Sequence, residues 1–146
     1  KKNIILMDGD LEIEIDQIPS LIKKYEGDEV GALIGKRWEK NQTLKLNINL
    51  IGNFLINSLF NIFFNSDFND VLCCVKILSK KDFSAFKIKS NDFSIEIETM
   101  AMLVKSDLNI IEKSVKYNRR TVDQGKKLKV TDGWDIILTM LRVRYF

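Results

Sequence analysis

The sequence predicts an α/β fold with a mixed sheet flanked by helices, and three observations carry that prediction. Two apolar runs of strand length, Asn3–Met7 and Val30–Ile34, enclose a stretch with helical spacing. Strand, helix, strand is the order of a parallel α/β layer. At 146 residues, 45% hydrophobic and 29% charged, the chain matches one ordinary globular domain, which excludes disorder, collagen and coiled coil.

Asn3–Met7 reads as a buried strand that runs into the turn signal Asp8-Gly9-Asp10. Asp16 is the expected N-cap of a helix through Pro19, Leu21, Ile22 and Tyr25, ending near Gly27. Val30–Ile34 follows as a second strand, closed by Gly35-Lys36-Arg37. From Thr43 to about Asn65 the apolar spacing is helical, and Asn recurs every fourth residue from Asn49 to Asn69. Four residues advance a helix by about 400°, so this line of amides drifts about 40° per step and marks no single face. Val71–Leu78 reads as a strand, Lys81–Phe86 as a short helix, Ile95–Lys105 as a helix led by Glu96 and Glu98, and Ile110–Tyr117 as a strand. The last helix opens at Asp132 and sets Trp134, Ile137, Leu138, Leu141 and Tyr145 in one apolar stripe beside Arg142 and Arg144. Such a stripe serves equally for docking on the sheet or for lying on a membrane surface.

Composition narrows the chemistry. The chain has no His, which excludes Ser-His-Asp and Cys-His catalysis and His-based zinc sites within these residues. A metal would be held by carboxylates, which favours a hard ion such as Mg²⁺ or Mn²⁺. Cys73 and Cys74 are adjacent and imply a reduced, intracellular setting without a disulfide framework. The apolar stretch Leu46–Phe64 is interrupted by Asn47, Asn49, Asn53, Asn57 and Asn61, which argues against a bilayer-spanning helix. The net charge of +3 hides an asymmetry, because residues 113–146 hold nine basic and three acidic side chains, +6, leaving −3 for the rest. That basic third suits an anionic partner. Its aromatics do not interleave with its cations, so nucleic acid is not the expected one.

Two motifs carry candidate chemistry. Asp8 and Asp10, with Gly9 between them and Glu12 following, stand at the C-terminal end of a predicted strand, where open α/β sheets place ligands. Such a pair can share a divalent cation and present it to a diphosphate. An ordinary turn is the competing reading of the same residues. The second motif runs from Tyr117 to Lys127 and contains Arg119, Arg120, Gly125, Lys126 and Lys127, followed by Asp132-Gly133. Arg clamps phosphate oxygens, Lys supplies point charge and Gly lets backbone approach closely.

In their order, Asp8-Gly9-Asp10 with Glu12 and Pro19, Gly35-Lys36-Arg37, Asp70 to Lys76, Phe93 to Glu98, Tyr117 to Lys127 and Asp132-Gly133, these segments resemble family 2 glycosyltransferases. The subgroup most similar is that of the dolichyl- and polyprenyl-phosphate sugar transferases. The resemblance covers nearly the whole chain and is most specific at Tyr-x-x-Arg-x-x-x-x-Gly-Lys-Lys with its following Asp-Gly. It implies a GT-A-like, Rossmann-like fold and Mg²⁺ or Mn²⁺ held by Asp8 and Asp10 with Glu12 as a further contact. It also implies donor and acceptor phosphates held by Arg37, Arg120, Lys126 and Lys127. Where the family has Asp-Pro-x-Ser/Thr-Gly-x-Lys/Arg, this chain has Asp70-Val71-Leu72-Cys73-Cys74-Val75-Lys76, and Lys36 stands where a small residue is common. The family's first strand and Asn-Glu nucleotide site have no counterpart here, so residues 1–146 are expected to be the later part of the domain, with its nucleotide-binding portion missing and a sheet edge exposed on the N-terminal side.

The implied activity, of the intact protein and not of residues 1–146 alone, is inverting transfer of a sugar from a nucleotide-diphosphate sugar to a polyprenyl or dolichyl phosphate, at the cytoplasmic face of a membrane. A phosphate acceptor is already anionic near neutral pH and needs no strong base. A hydroxyl acceptor, as in cell-envelope polysaccharide synthesis, would need a carboxylate base, and Asp70, then Glu98, are the candidates. The rival from another class is an inactive truncated piece that only binds phosphate or a membrane surface.

Overall fold

The computed structural model describes residues 2–28, 30–38, 48–119 and 132–145. Four strands form one mixed sheet: β1 (Asn3–Leu6), β2 (Ala32–Lys36), β3 (Lys76–Ser79) and β4 (Ile110–Ser114), in the order β1-β3-β2-β4. β3 lies antiparallel to both β1 and β2, and β2 is parallel to β4. β1 and β2 therefore run in the same direction, as the strand-helix-strand reading requires, but they are not neighbours. The sequence pattern specifies the crossover; which strand fills the gap depends on a pairing 40 residues later in the chain.

Helix α1 (Ile18–Gly27) packs Leu21 and Tyr25 on one face of the sheet, against Leu33, Val75 and Ile77. Helices α2 (Ile48–Phe64), α4 (Ser94–Lys105) and α5 (Asp132–Tyr145) cover the other, where Phe60, Phe64, Ile97, Met100, Ile136 and Met140 meet Ala32, Ile34 and Leu78. The short α3 (Lys80–Ala85) follows β3 directly, capped by the Ser79 hydroxyl on Asp82 N–H. Alternation along β2 sends Leu33 to the α1 side and Ala32 and Ile34 to the other, the period of two expected of a strand covered on both faces.

Several boundaries differ from expectation. A 3₁₀ turn, Ile15–Gln17, contains Asp16, and Gln17 takes the N-cap place of α1 without a side-chain bond. Residues 71–75 are turn and not strand: Cys73 N–H bonds Asp70 O at 3.2 Å and Val71 N–H bonds Asn57 Oδ1 at 2.9 Å, so backbone donors that a ladder would need are committed locally. β1 is an edge strand, with Ile5 38% exposed, and not a buried one. In α5 the buried residues are Ile136, Thr139, Met140 and Val143, whereas Trp134, Leu138 and Tyr145 face outward. The stripe read from sequence is thus not the face that docks on the core.

Candidate functional site

Because β1, β2 and β4 share a direction and β3 opposes them, three C-terminal strand ends and one N-terminal end meet at a single edge of the sheet. Asp8-Gly9-Asp10 leaves β1 there, Arg37 leaves β2, residues 70–75 lead into β3, and residues 115–119 leave β4. After β1 the chain crosses to the opposite side of the sheet: Ile13 bridges Tyr117, Asn118 N–H bonds Glu12 O at 2.8 Å, and the Gln17 amide bonds both backbone groups of Lys116. Three strand spacings, about 14 Å, separate the outer strands, so the acidic loop spans the ends of β3 and β2.

Within that loop Asp10 Oδ1 accepts Glu12 N–H at 3.0 Å, and Leu11 is held at φ 62 while 72% exposed. A bulky residue in the left-handed region is strained, a state that clusters at ligand-binding turns. Burial, then the charges of Glu96 and Asp10, push the Asp8 carboxyl above its ordinary value; Lys76 and a hydrogen bond from Cys74 oppose them. Lys76 is fully buried on the α4 side, its ammonium bonded to Cys73 O at 2.6 Å and ion-paired with Glu96. Glu12 is buried and accepts the Tyr117 hydroxyl, whose pKa burial and this bond raise to about 12. Among the described residues no three Cys, Asp or Glu side chains close a metal cage. Asp8 and Asp10 repel one another in one turn, and Mg²⁺ is commonly held by one or two carboxylates plus substrate phosphates, so this pair suits a cation shared with a diphosphate. Glu12, expected as a further metal contact, is engaged with Tyr117.

Arg37 and Asp70 form a closed pair. Arg37 Nε donates to Oδ2 and Nη2 to Oδ1, both at 2.8 Å, and Arg37 N–H adds a third bond at 2.9 Å. Burial disfavours the Arg37 charge, but Asp70 outweighs it and the guanidinium is held charged. Its Cζ lies 4.3 Å from the centroid of the Trp38 ring and 5.4 Å from that of Tyr117, a cation over two aromatic faces. Gly35, two residues earlier on β2, is required by space: a Cβ there would stand 2.8 Å from Cys73 Sγ.

The loop bearing Asp70 is held from both sides. Asn57 and Asn61 on α2 donate to Phe68 O at 2.7 and 2.8 Å, Asn61 Oδ1 accepts Phe68 N–H at 3.0 Å, and Glu112 on β4 accepts Asn69 N–H at 2.8 Å and Asp70 N–H at 3.2 Å. These amides belong to the recurring Asn line, to which the sequence reading attached no role. Their i, i+4 spacing was the available signal, since it puts two amides on one side of α2. Glu96, Lys76 and Glu112 were likewise missed as site-forming residues.

Glu98 lies elsewhere. Two positions along α4 turn it about 200° from Glu96, and its carboxylate accepts Lys89 N–H at 3.1 Å and Ser90 N–H at 2.7 Å and pairs with Arg142 at 3.0 Å. Burial raises its pKa, yet Ser90, Lys89 and Arg142 together hold it below the usual value. Both base candidates, Asp70 and Glu98, therefore have cationic or N–H partners on their oxygens. Arg120, Lys126 and Lys127 lie outside the described residues.

A scan against protein-family models and a search of curated proteins give no match to this chain.

Proposed function

We propose that the chain is the metal- and phosphate-binding part of an inverting glycosyltransferase of GT-A-like fold, which moves a sugar from a nucleotide-diphosphate sugar to a polyprenyl or dolichyl phosphate. One observation carries the reading: four segments far apart in sequence, at Asp8, Arg37, Asp70 and Tyr117, meet at one sheet edge. Asp8 and Asp10 would hold Mg²⁺ or Mn²⁺, which supplies charge neutralisation on a leaving diphosphate. Arg37, expected as a phosphate contact, has its Nε and Nη2 committed to Asp70 and, set against two aromatic rings, would position the edge instead of presenting a free charge to the donor. Arg120, Lys126 and Lys127 would bind the donor and acceptor phosphates. The lipid-phosphate acceptor is favoured over a hydroxyl because both Asp70 oxygens are engaged by Arg37, while a phosphate needs no base. The work then belongs at the cytoplasmic face of a membrane.

Calorimetric titration with inorganic diphosphate in the presence of Mn²⁺ tests the proposal on this part of the domain. Expected is heat of binding that requires Mn²⁺ and disappears in Asp8→Asn. Absence of Mn²⁺-dependent diphosphate binding overturns it.

A further inference from the structure

A cleft of about 470 Å³ lies between the loop that enters α4 and one face of α5, and it shares no residue with the edge at Asp8, Arg37 and Tyr117. Its size is that of small-molecule sites, about 300–1,000 Å³. Asp135, Leu138, Thr139 and Arg142 line it from α5, and their i, i+3, i+4, i+7 spacing makes them one continuous face of that helix. The opposite wall is held in place by Glu98. Its carboxylate accepts Ser90 N–H at 2.7 Å and pairs with Arg142 at 3.0 Å, and Arg142 also donates to Ser90 Oγ at 3.1 Å. Loop and both helices are thereby tied at one point, and the buried hydroxyl residues Ser94 and Thr139 lie in the walls.

The lining says what fits. Hydroxyls and an amide stand with two carboxylates, Asp92 and Asp135, and two cations, Lys89 and Arg142, while Leu138 is the one apolar side chain among the described residues that line the cleft. An anion would face the two carboxylates, a cation would face Lys89 and Arg142, and an apolar molecule would strand all of these groups without partners. A polyhydroxyl compound suits them, because each hydroxyl both donates and accepts. Carboxylates take its protons, and the guanidinium, with five N–H donors, meets its lone pairs. A sugar ring also has an apolar face of C–H bonds, and the cleft has a border for it. At about 100° per residue, Trp134 stands about 40° and Tyr145 about 20° from Leu138 around α5, and both rings are 69% exposed. Such rings set a flat apolar surface beside polar groups.

We propose that the cleft between residues 89–94 and α5 binds a neutral saccharide, with hydroxyls on Asp135 and Arg142 and the C–H face on Leu138 and Trp134. The inference does not depend on the sugar-transfer reading, whose residues lie at the sheet edge. Saturation-transfer NMR and calorimetry of the chain with maltose, mannobiose and chitobiose test it, with glucuronate and glucosamine as charged controls. Expected is binding of at least one neutral disaccharide, stronger than that of either charged sugar, with a change in Trp134 emission that Trp134→Phe removes. Affinity should fall about tenfold in Asp135→Asn, which loses a charged acceptor, and about fivefold in Trp134→Ala, which loses the ring face. Both side chains are exposed, so circular dichroism should not distinguish these variants from the parent. In Asp8→Asn the affinity should be unchanged, which separates this cleft from the sheet edge. The proposal fails if no neutral disaccharide binds, if glucuronate or glucosamine binds more tightly, or if neither Asp135→Asn nor Trp134→Ala weakens binding.

Discussion

Asp70 and Asp8 stand at the same edge of one sheet in opposite electrostatic settings. Asp70 accepts three hydrogen bonds from Arg37, and its own loop is tied to α2 and β4. Asp8 stands among other carboxylates, and burial together with Glu96 and Asp10 makes its ionised form costly. The difference separates two kinds of acid that look alike in a sequence. One is neutralised within the fold and positions its neighbours, while the other is penalised by burial and by nearby carboxylates more than Lys76 and Cys74 relieve it.

The contrast can be broken at its closed end first. Asp70→Asn leaves a buried guanidinium without its counter-ion, so a loss of about 3–5 kcal/mol is expected, read as a lower urea midpoint. Glu98→Gln should cost about 1–3 kcal/mol at neutral pH. The folded pKa of Glu98 is below its ordinary 4.5, so its contribution is complete above about that pH and is lost as pH falls through the folded value. The gap between parent and variant should therefore narrow on acidification, which paired pH-dependent melts would detect. Asn61→Ala removes the bonds to Phe68 and Ser66 and should cost about 1–2 kcal/mol, with faster amide exchange confined first to residues 66–71.

The smallest effect sharpens the open end. The folded pKa of Asp8 is raised above 3.8, so the folded state holds that proton more tightly than the unfolded chain, and stability falls as pH rises through this window. Asp8→Asn should then raise the melting temperature slightly in metal-free buffer near pH 7. With Mn²⁺ added the order should reverse, because only the parent gains from a ligand of the native state. A destabilised Asp8→Asn in metal-free buffer would remove the distinction between the two aspartates.

Much of this edge was legible in the chain. The acidic turn after β1 and the motif opening at Tyr117 were singled out from residue chemistry, Arg37 only through the family resemblance, and the fold sets all three at one edge. What could not be read was partnership. Arg37 and Asp70 are 33 positions apart, Asn69 and Glu112 are 43, and no local pattern links them. Asn57 and Asn61 were visible as a repeat but had no assigned partner, because an amide on a helix declares its spacing and not the loop that will pass over it.

Helix α5 shows the same division most plainly. Periodicity by itself determined that residues 132–145 form a helix with an apolar line through Trp134, Leu138 and Tyr145, since 3.6-residue spacing is a property of the local chain. Periodicity also determined the strand-helix-strand order, and composition the lack of histidine within these residues and the basic bias of the last third. Only the tertiary structure decided that β3 enters between β1 and β2, that Asp70 is closed by Arg37, and that α5 buries Ile136, Met140 and Val143 instead of its tryptophan. A hydrophobic pattern ranks faces by what they contain, whereas docking selects the face whose shape fits α4 and the sheet; on a helix apolar on two sides, those criteria part company.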